Sequence, residues 1–180
     1  MTEDVALVID RLETAIGRMV IVADRAGHLR ATDWDDYESR MRKLLARWYG
    51  PSGAAPTPAK DPNGLTSALA RYFAGELHVI DDLPVAMPGT AFQRDVWAEL
   101  RRIPCGKTIS YGEMARRIGK PAAVRAVGLA NGANPVGVVV PCHRVIGADG
   151  TLTGYGGGIE RKRWLLAHEG ALDRSPRLAL

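Results

Sequence analysis

The spacing of apolar residues changes near residue 34, and this change limits the folds open to the chain. Up to that point the apolar residues form short strand-like runs, at 7–12, 19–23 and 28–34, separated by turns at Ile16-Gly17 and 24–27. From residue 35 to residue 49 they recur at helical spacing, on the stripe Tyr37, Met41, Leu44, Leu45 and Trp48. A small antiparallel sheet followed by helices predicts a mixed α/β fold of the α+β kind.

Glycine and proline clusters indicate how the chain is divided. Residues 50–64 are rich in Gly, Pro and Ala and form a linker-like stretch. A helix is predicted at about 65–74, and a seam follows at Pro84 and Pro88. The two predicted domains are an N-terminal α/β domain, 1–88, and a C-terminal domain, 89–180.

The C-terminal domain is predicted to be mainly helical. Thr90 is placed to cap a helix that runs to about residue 102. The segment 110–113 has the Ser-x-x-Glu form of a capping box, and it opens a second helix that stops at Gly119. Pro121 is well placed as the first residue of a third helix, which ends at about residue 131. Two helices joined by a tight glycine-containing turn predict a helix-turn-helix, although an ordinary helical hairpin has the same pattern.

Charge is distributed unevenly along the chain. Residues 1–88 carry 10 Lys/Arg and 13 Asp/Glu, a net charge of −3, whereas residues 89–180 carry 14 and 7, a net charge of +7. A basic half beside a weakly acidic half indicates a face that meets a polyanion. A basic surface that contacts only water is the alternative.

Composition argues against several classes of protein. No apolar run approaches the roughly 20 residues of a membrane span, and the acidic start of the chain lacks the pattern of a signal peptide. We therefore expect a soluble, cytoplasmic protein with no membrane partner. Two cysteines, Cys105 and Cys142, are too few for a disulfide scaffold or a cysteine-rich zinc site. The four histidines lack ligand spacing, so no metal is predicted, and Cys105 is interpreted as structural.

A thiol, an imidazole and a guanidinium occupy consecutive positions at Cys142, His143 and Arg144. They follow the apolar run 136–140, which is typical of a buried strand. Neighbouring positive charge lowers a thiol pKa from roughly 8.5 toward neutrality, so Cys142 is a candidate nucleophile. A buried structural cysteine is the alternative. Because side chains alternate along extended backbone, we expect His143 to reach the thiol through a water molecule.

The imidazole would need an acid behind it to fix its tautomer and to hold positive charge. Glu169 is the preferred partner because it ends a predicted helix, 159–168, that should dock into the core. The Asp149-Gly150 pair favours a turn instead. The glycine-rich segment 154–158 would let backbone approach a ligand closely, with Tyr155 stacking on it, and a flexible connector is the alternative. The acidic residues downstream of Cys142 are Asp149, Glu160, Glu169 and Asp173.

The segment Pro141-Cys142-His143-Arg144-Val145-Ile146-Gly147 resembles the active-site motif of the O6-alkylguanine-DNA alkyltransferases, also called methylated-DNA–protein-cysteine methyltransferases. The resemblance covers about residues 90–170, in order and with compatible spacing, whereas residues 1–88 share only the general character of the family's N-terminal domain. Its other matching segments are Ile109-Ser110-Tyr111, Arg125-Ala126-Val127-Gly128, Asn134-Pro135, Gly154-Tyr155 and Leu165-Leu166-Ala167-His168-Glu169-Gly170.

The resemblance implies a role for each matching residue. Cys142 would be the alkyl acceptor, His143 would take its proton through water, and Glu169 would support His143. Asn134 would be a hinge between the recognition helix and the active-site strand, and Tyr111 would assist the departing guanine. Arg125 would fill the space that the extruded nucleotide leaves in the duplex. The remaining implied residues are Lys120, Gly112, Ala126 and Gly128 on the DNA, and Tyr155, Val145 and Gly156 in the pocket for the base.

The family's reaction is also implied. The chain would flip O6-alkylguanine, and O4-alkylthymine, out of double-stranded DNA and transfer the alkyl group irreversibly to Cys142, once per molecule and without a cofactor. Its helix-turn-helix would lie in the minor groove. We expect a monomer that clusters on DNA, associated with the nucleoid if the source is bacterial. Gly137 and Gly156 depart from residues common in the family and leave the range of alkyl groups open. A non-catalytic damage-binding protein and a Cys-His hydrolase are the alternatives.

Overall fold

A four-stranded sheet forms the N-terminal part of the protein, in a computed structural model that describes residues 5–172. The first three strands are antiparallel neighbours, and the short fourth strand lies parallel to the first, in the order β3-β2-β1-β4. The three strands expected from the apolar runs are confirmed to within two residues at each end. The strands are β1 (Leu7–Thr14), β2 (Gly17–Asp24), β3 (Leu29–Trp34) and β4 (Thr57–Pro58).

Both faces of this sheet are covered, which explains why its central strand is apolar at consecutive positions. One face packs against Met41, Leu45 and Tyr49 of α1 (Glu38–Tyr49). The other packs against α3 (Leu65–Phe73) and continues into the C-terminal half of the chain. Residues 19–23 of β2 are accordingly almost completely buried.

The stretch 50–64 packs onto the sheet. It contains the short helix α2 (Pro51–Ala54) and β4. The Asp10 carboxylate of β1 accepts hydrogen bonds from the Asp61 backbone N–H and from the Thr66 hydroxyl, both to Oδ2 (2.8 and 2.7 Å). A single buried cluster includes residues from both sides of position 88, and the division into domains at 88/89 stays a prediction.

The C-terminal half is mainly helical, as predicted. Thr90 caps its first helix through a capping box with Gln93, and Ser110 Oγ accepts a hydrogen bond from the Glu113 N–H at the start of the next (3.1 Å). The two short strands pair in parallel. None of the described helices is both long and apolar enough to span a bilayer. The elements are α4 (Ala91–Leu100), β5 (Ile109–Ser110), α5 (Tyr111–Arg117), α6 (Val124–Gly132), β6 (Val145–Ile146) and α7 (Ile159–His168).

Helices α5 and α6 form the predicted helix-turn-helix, but the position predicted for Pro121 was wrong. Helix α6 begins at Val124. The backbone N–H of Ala123 closes a turn on the Lys120 carbonyl (2.9 Å), so Pro121 lies in the connection between the helices. Proline fits either place because its fixed φ suits a turn as well as a first helical turn.

The valine-rich run 136–140 is a buried loop, and the strand predicted there was wrong. Val136 makes an isolated bridge to Thr32. The backbone then turns: Val140 N–H donates to the Val136 carbonyl (2.9 Å), and Val138 adopts a left-handed φ of 73°. Thr32 donates hydrogen bonds to two carbonyls at the start of this segment: its N–H donates to the Pro135 carbonyl and its hydroxyl to the Gly137 carbonyl. A run of apolar residues indicates that a segment is buried, but burial alone does not distinguish a strand from a packed loop.

Candidate active site

Cys142 begins a single 3-10 turn, Cys142–Arg144, where extended backbone had been expected. The Cys142 N–H donates to the Val140 carbonyl (2.8 Å). Asn134 fixes both ends of the loop 136–140, which precedes Cys142. Its Nδ2 donates to Val140 O (2.7 Å), and its Oδ1 accepts from Val136 N–H (3.0 Å). Asn131 of α6 donates from Nδ2 to the Cys142 carbonyl (3.4 Å). Asn131 therefore joins α6 directly to the cysteine, and Asn134 fixes the loop that leads to it.

The Cys142 thiol is buried and protonated at neutral pH. Burial raises its pKa, while a hydrogen bond from Asn134 and the positive charge of Lys162 act in the opposite direction. Burial has the larger effect, so the thiol does not ionise without a base. No direct hydrogen bond joins the thiol to His143 within the described part of the chain.

His143 and Glu169 form a buried pair. His143 Nε2 lies 3.0 Å from Glu169 Oε1, and neither side chain is exposed to solvent. A carboxylate can only accept a hydrogen bond, so Nε2 carries the proton and Nδ1 holds a lone pair. Nδ1 is buried and has no hydrogen-bond partner among residues 5–172. Burial lowers the pKa of His143 despite the neighbouring carboxylate, which keeps the ring neutral and able to take a proton.

The Glu169 carboxylate is held by more donors than the sequence indicated. Arg144 donates from Nε to Oε2 (2.9 Å) and from Nη2 to Oε1 (2.8 Å), and the Tyr72 hydroxyl donates to Oε1 (2.8 Å). Although burial alone would raise the pKa of Glu169, His143 and Arg144 hold it well below its ordinary value, so the acid is ionised. Arg144 could be suspected from the sequence because it directly follows Cys142 and His143. Nothing in the sequence indicated that Tyr72 would contact Glu169.

The other acids considered from the sequence lie elsewhere. Asp149 accepts from Thr151 within the predicted turn, and Glu160 pairs with Arg163 on the surface of α7. Asp173 lies outside the described residues. Of these candidates, the fold brings Glu169 to His143.

Lys162 of α7 was missed by sequence reasoning, which considered only the apolar residues of this helix. Its side chain is fully buried. The ammonium donates to the carbonyls of Val145 (2.6 Å), Thr153 (3.0 Å) and Gly154 (3.5 Å). Burial lowers the pKa of Lys162 to about 8. One cation thus ties the glycine-rich loop to β6, directly beyond the cysteine turn.

Cys142 lines a cavity of about 320 Å³ together with Tyr111, Gly128, Thr153 and Tyr155. The Tyr111 hydroxyl donates to the Thr153 carbonyl (3.2 Å). Burial raises the pKa of both tyrosines, so each phenol keeps its proton at neutral pH.

A second cavity, of about 640 Å³, also reaches Cys142 and extends to Trp34, Arg40 and Trp48 of the N-terminal half. Tyr155 and Gly156 line both cavities, whereas Val145 lines neither. Val145 is fully buried, and its carbonyl is bonded to Lys162.

The residues expected to meet DNA lie around α5 and α6. Lys120, Arg125 and Ala126 are exposed, and Gly112 and Gly128 are half-buried. Lys120 extends over the ring of Phe92 (5.0 Å). Gly128 lines the smaller cavity, and a Cβ atom there would lie 3.9 Å from the Tyr111 ring, an ordinary contact distance. Across residues 5–172 no group of three or more His, Cys, Asp or Glu side chains is arranged to hold a metal ion.

Comparisons with known proteins assign the chain to a family. The profile of the 6-O-methylguanine DNA methyltransferase DNA-binding domain matches residues 91–171. The methylated-DNA–protein-cysteine methyltransferase of Salmonella typhimurium is 53% identical over 163 residues, which are 91% of this chain and 95% of the relative.

Solved structures give the same assignment over nearly the whole chain. The crystal structure of Mycobacterium tuberculosis O6-methylguanine methyltransferase has a TM-score of 0.74 at 42% identity, covering 95% of this chain and 96% of that chain. The structure of Mycobacterium tuberculosis OGT in complex with DNA has a TM-score of 0.76 at 42% identity, covering 91% and 93%. The chain belongs to the methylated-DNA–protein-cysteine methyltransferase family.

Proposed function

We propose that this protein repairs DNA by transferring the alkyl group of O6-alkylguanine, and of O4-alkylthymine, from the duplex to Sγ of Cys142. The observation that carries the proposal is the His143 ring, which is bonded to Glu169 through one nitrogen and offers an unpaired, buried lone pair at the other. Such a ring is a base for a protonated thiol in the same turn of the chain.

The first step is ionisation of the thiol. A water molecule takes the Sγ proton and passes one to His143 Nδ1, because the two side chains make no direct hydrogen bond within residues 5–172. The resulting imidazolium is stabilised by Glu169, 3.0 Å from Nε2. Asn134 and the positive charge of Lys162 favour the thiolate once it forms.

The second step is displacement at the alkyl carbon. The Sγ–C bond forms as the C–O6 bond breaks, and the electron pair goes to the base. The Tyr111 phenol lines the smaller cavity with Cys142 and gives the leaving base a proton. The proton taken from the thiol returns through water to the Tyr111 phenol. In the net reaction the alkyl group moves to sulfur and a hydrogen takes its place on the base. A thioether has no good leaving group, so each protein molecule acts once. We further propose that the protein works as a monomer and without a cofactor.

Extrusion of the nucleotide follows from the burial of the acceptor. Cys142 is only 7% exposed, so a base that remains stacked in a duplex does not reach it, and flipping costs a few kcal/mol. Arg125, exposed on α6, fills the vacated space and offsets part of this cost. Lys120, Gly112, Ala126 and Gly128 approach the minor groove and its phosphates. The Mycobacterium tuberculosis relative in complex with DNA supports DNA as the partner.

The test is intact-protein and peptide mass spectrometry after mixing with a duplex that contains O6-methylguanine. We expect a gain of one CH2 group per molecule, confined to the Cys142 peptide, in the wild type and in Cys105→Ala, and no gain in Cys142→Ala. An unchanged mass in the wild type, or the same gain in Cys142→Ala, contradicts the proposal. Tight binding without a mass gain would indicate a damage-binding protein, and repeated ester turnover would indicate a Cys-His hydrolase.

A further inference from the structure

The N-terminal half of the protein supplies a side chain to the buried acid of the site. Tyr72 lies near the end of α3 and is fully buried. Its hydroxyl donates to Glu169 Oε1 (2.8 Å), although the two residues are 97 positions apart in the chain. Burial raises the pKa of Tyr72, so the hydroxyl keeps its proton and remains a donor at every pH at which the protein works.

The donors are divided unequally between the two oxygens of Glu169. Oε1 accepts from Tyr72 (2.8 Å), Arg144 Nη2 (2.8 Å) and His143 Nε2 (3.0 Å), whereas Oε2 accepts from Arg144 Nε. Tyr72 and His143 therefore compete for the same oxygen. One carboxylate oxygen has a limited set of lone pairs, and each donor that stabilises its charge leaves less of that charge for the other donors.

We infer that Tyr72 is a positioning residue that limits the basicity of His143 by sharing Glu169 Oε1 with it. The inference rests on the proposed function, in which His143 takes the thiol proton. A base must be neutral before it acts, and an ionised Glu169 bonded to His143 alone would stabilise the imidazolium in the resting protein. The hydroxyl of Tyr72 weakens that pull while it also fixes the orientation of the carboxylate.

Other charged and titratable groups also face this pair, and they remain when the Tyr72 hydroxyl is removed. Arg144 and Lys162 act on His143 from the cysteine turn and from α7, and Cys105 lies close enough to act on both Glu169 and Arg144. His168 contacts the Tyr72 ring, 5.2 Å between centroids, and its Nε2 lies 2.7 Å from the Tyr72 carbonyl. Removal of the hydroxyl alone leaves these four groups in place.

The test is the pH dependence of Cys142 alkylation in Tyr72→Phe, followed both with the O6-methylguanine duplex and with iodoacetamide. Loss of the hydroxyl strengthens the pull of Glu169 on the His143 proton, so the acidic limb of both profiles moves to higher pH, by roughly half a unit. Tyr49→Phe is the matched control, since it removes another buried hydroxyl, bonded to Arg30. Its profile is expected to coincide with that of the wild type.

A second substitution gives a shift of the opposite sign and does not shorten the side chain. Replacement of Tyr72 alone by 3-fluorotyrosine makes the phenol a stronger donor, so the acidic limb moves to lower pH. If the limbs of both variants coincide with that of the wild type, or both move in the same direction, the inference is wrong while the proposed function stands. A wild type that leaves Cys142 unalkylated by the duplex overturns the proposed function, and this inference with it.

Discussion

The buried ammonium of Lys162 gives the stability of the protein a pH dependence that can be calculated. Burial lowers its pKa from 10.5 to about 8, a difference of about 2.5 units and, at about 1.36 kcal/mol per unit, about 3 kcal/mol of free energy. Between these pH values the unfolded chain binds the proton and the folded protein does not. The contribution of Lys162 to stability therefore rises with pH across this window and is at its lowest below about pH 8.

Urea unfolding of the wild type and of Lys162→Met from about pH 8 to about pH 10 measures this contribution. Thiols and tyrosines with raised pKa values lower the stability over the same range, and subtraction of the two proteins removes their effect. Cys142 is electrostatically coupled to Lys162, so both proteins should carry Cys142→Ala. We expect the difference in free energy of unfolding to move by up to about 3 kcal/mol in favour of the lysine protein.

The exposed Lys43 provides the control, because Lys43→Met removes an ammonium that is already in water. Measured in the same Cys142→Ala background, its difference from the parent protein should stay constant with pH. If the Lys162→Met difference is also constant, the Lys162 ammonium is not desolvated in the folded protein.

Four further outcomes are expected. Glu169→Gln should slow alkyl transfer about 100-fold in rapid-quench kinetics, because the His143 imidazolium loses its counter-charge. A rate close to that of the wild type would refute the role of Glu169. Arg125→Ala should slow transfer from a duplex about 10-fold or more and leave transfer from free O6-benzylguanine unchanged, since only the duplex must be opened; equal losses on both substrates would contradict this. Gly137 lines the larger cavity, which we expect to receive bulky alkyl groups. Gly137→Leu should therefore slow benzyl transfer about 10-fold more than methyl transfer, because a Cβ there already lies 3.7 Å from the Tyr155 hydroxyl; an unchanged ratio would contradict this placement. Methylation of Cys142 should lower the melting temperature by several degrees and expose α6 to proteolysis, since the added methyl overpacks a buried site; an unchanged melting curve and digest would count against it.

Local signals were sufficient for most of the secondary structure. The capping box at Thr90 and the cap at Ser110 act within one helical turn, and the two residues of each cap are three positions apart in the sequence. The strands β1 to β3 were found because their apolar runs are bounded by turn residues. The valine run before Cys142 was misjudged because it is buried on all sides, and burial removes the alternation that distinguishes a strand from a loop.

A cysteine followed directly by a histidine, with a glutamate at the end of a predicted helix, was enough to predict the family and its reaction. The groups that surround these residues are seen only in the folded protein. Tyr72 donates to Glu169, which lies 97 positions away in the chain. Lys162 donates to backbone carbonyls, which every residue type has, so no sequence pattern marks them. The first contact depends on how the two halves pack, and the second on how α7 packs against β6 and the glycine-rich loop. A single sequence carries no signal for a hydrogen bond whose partners meet only after folding.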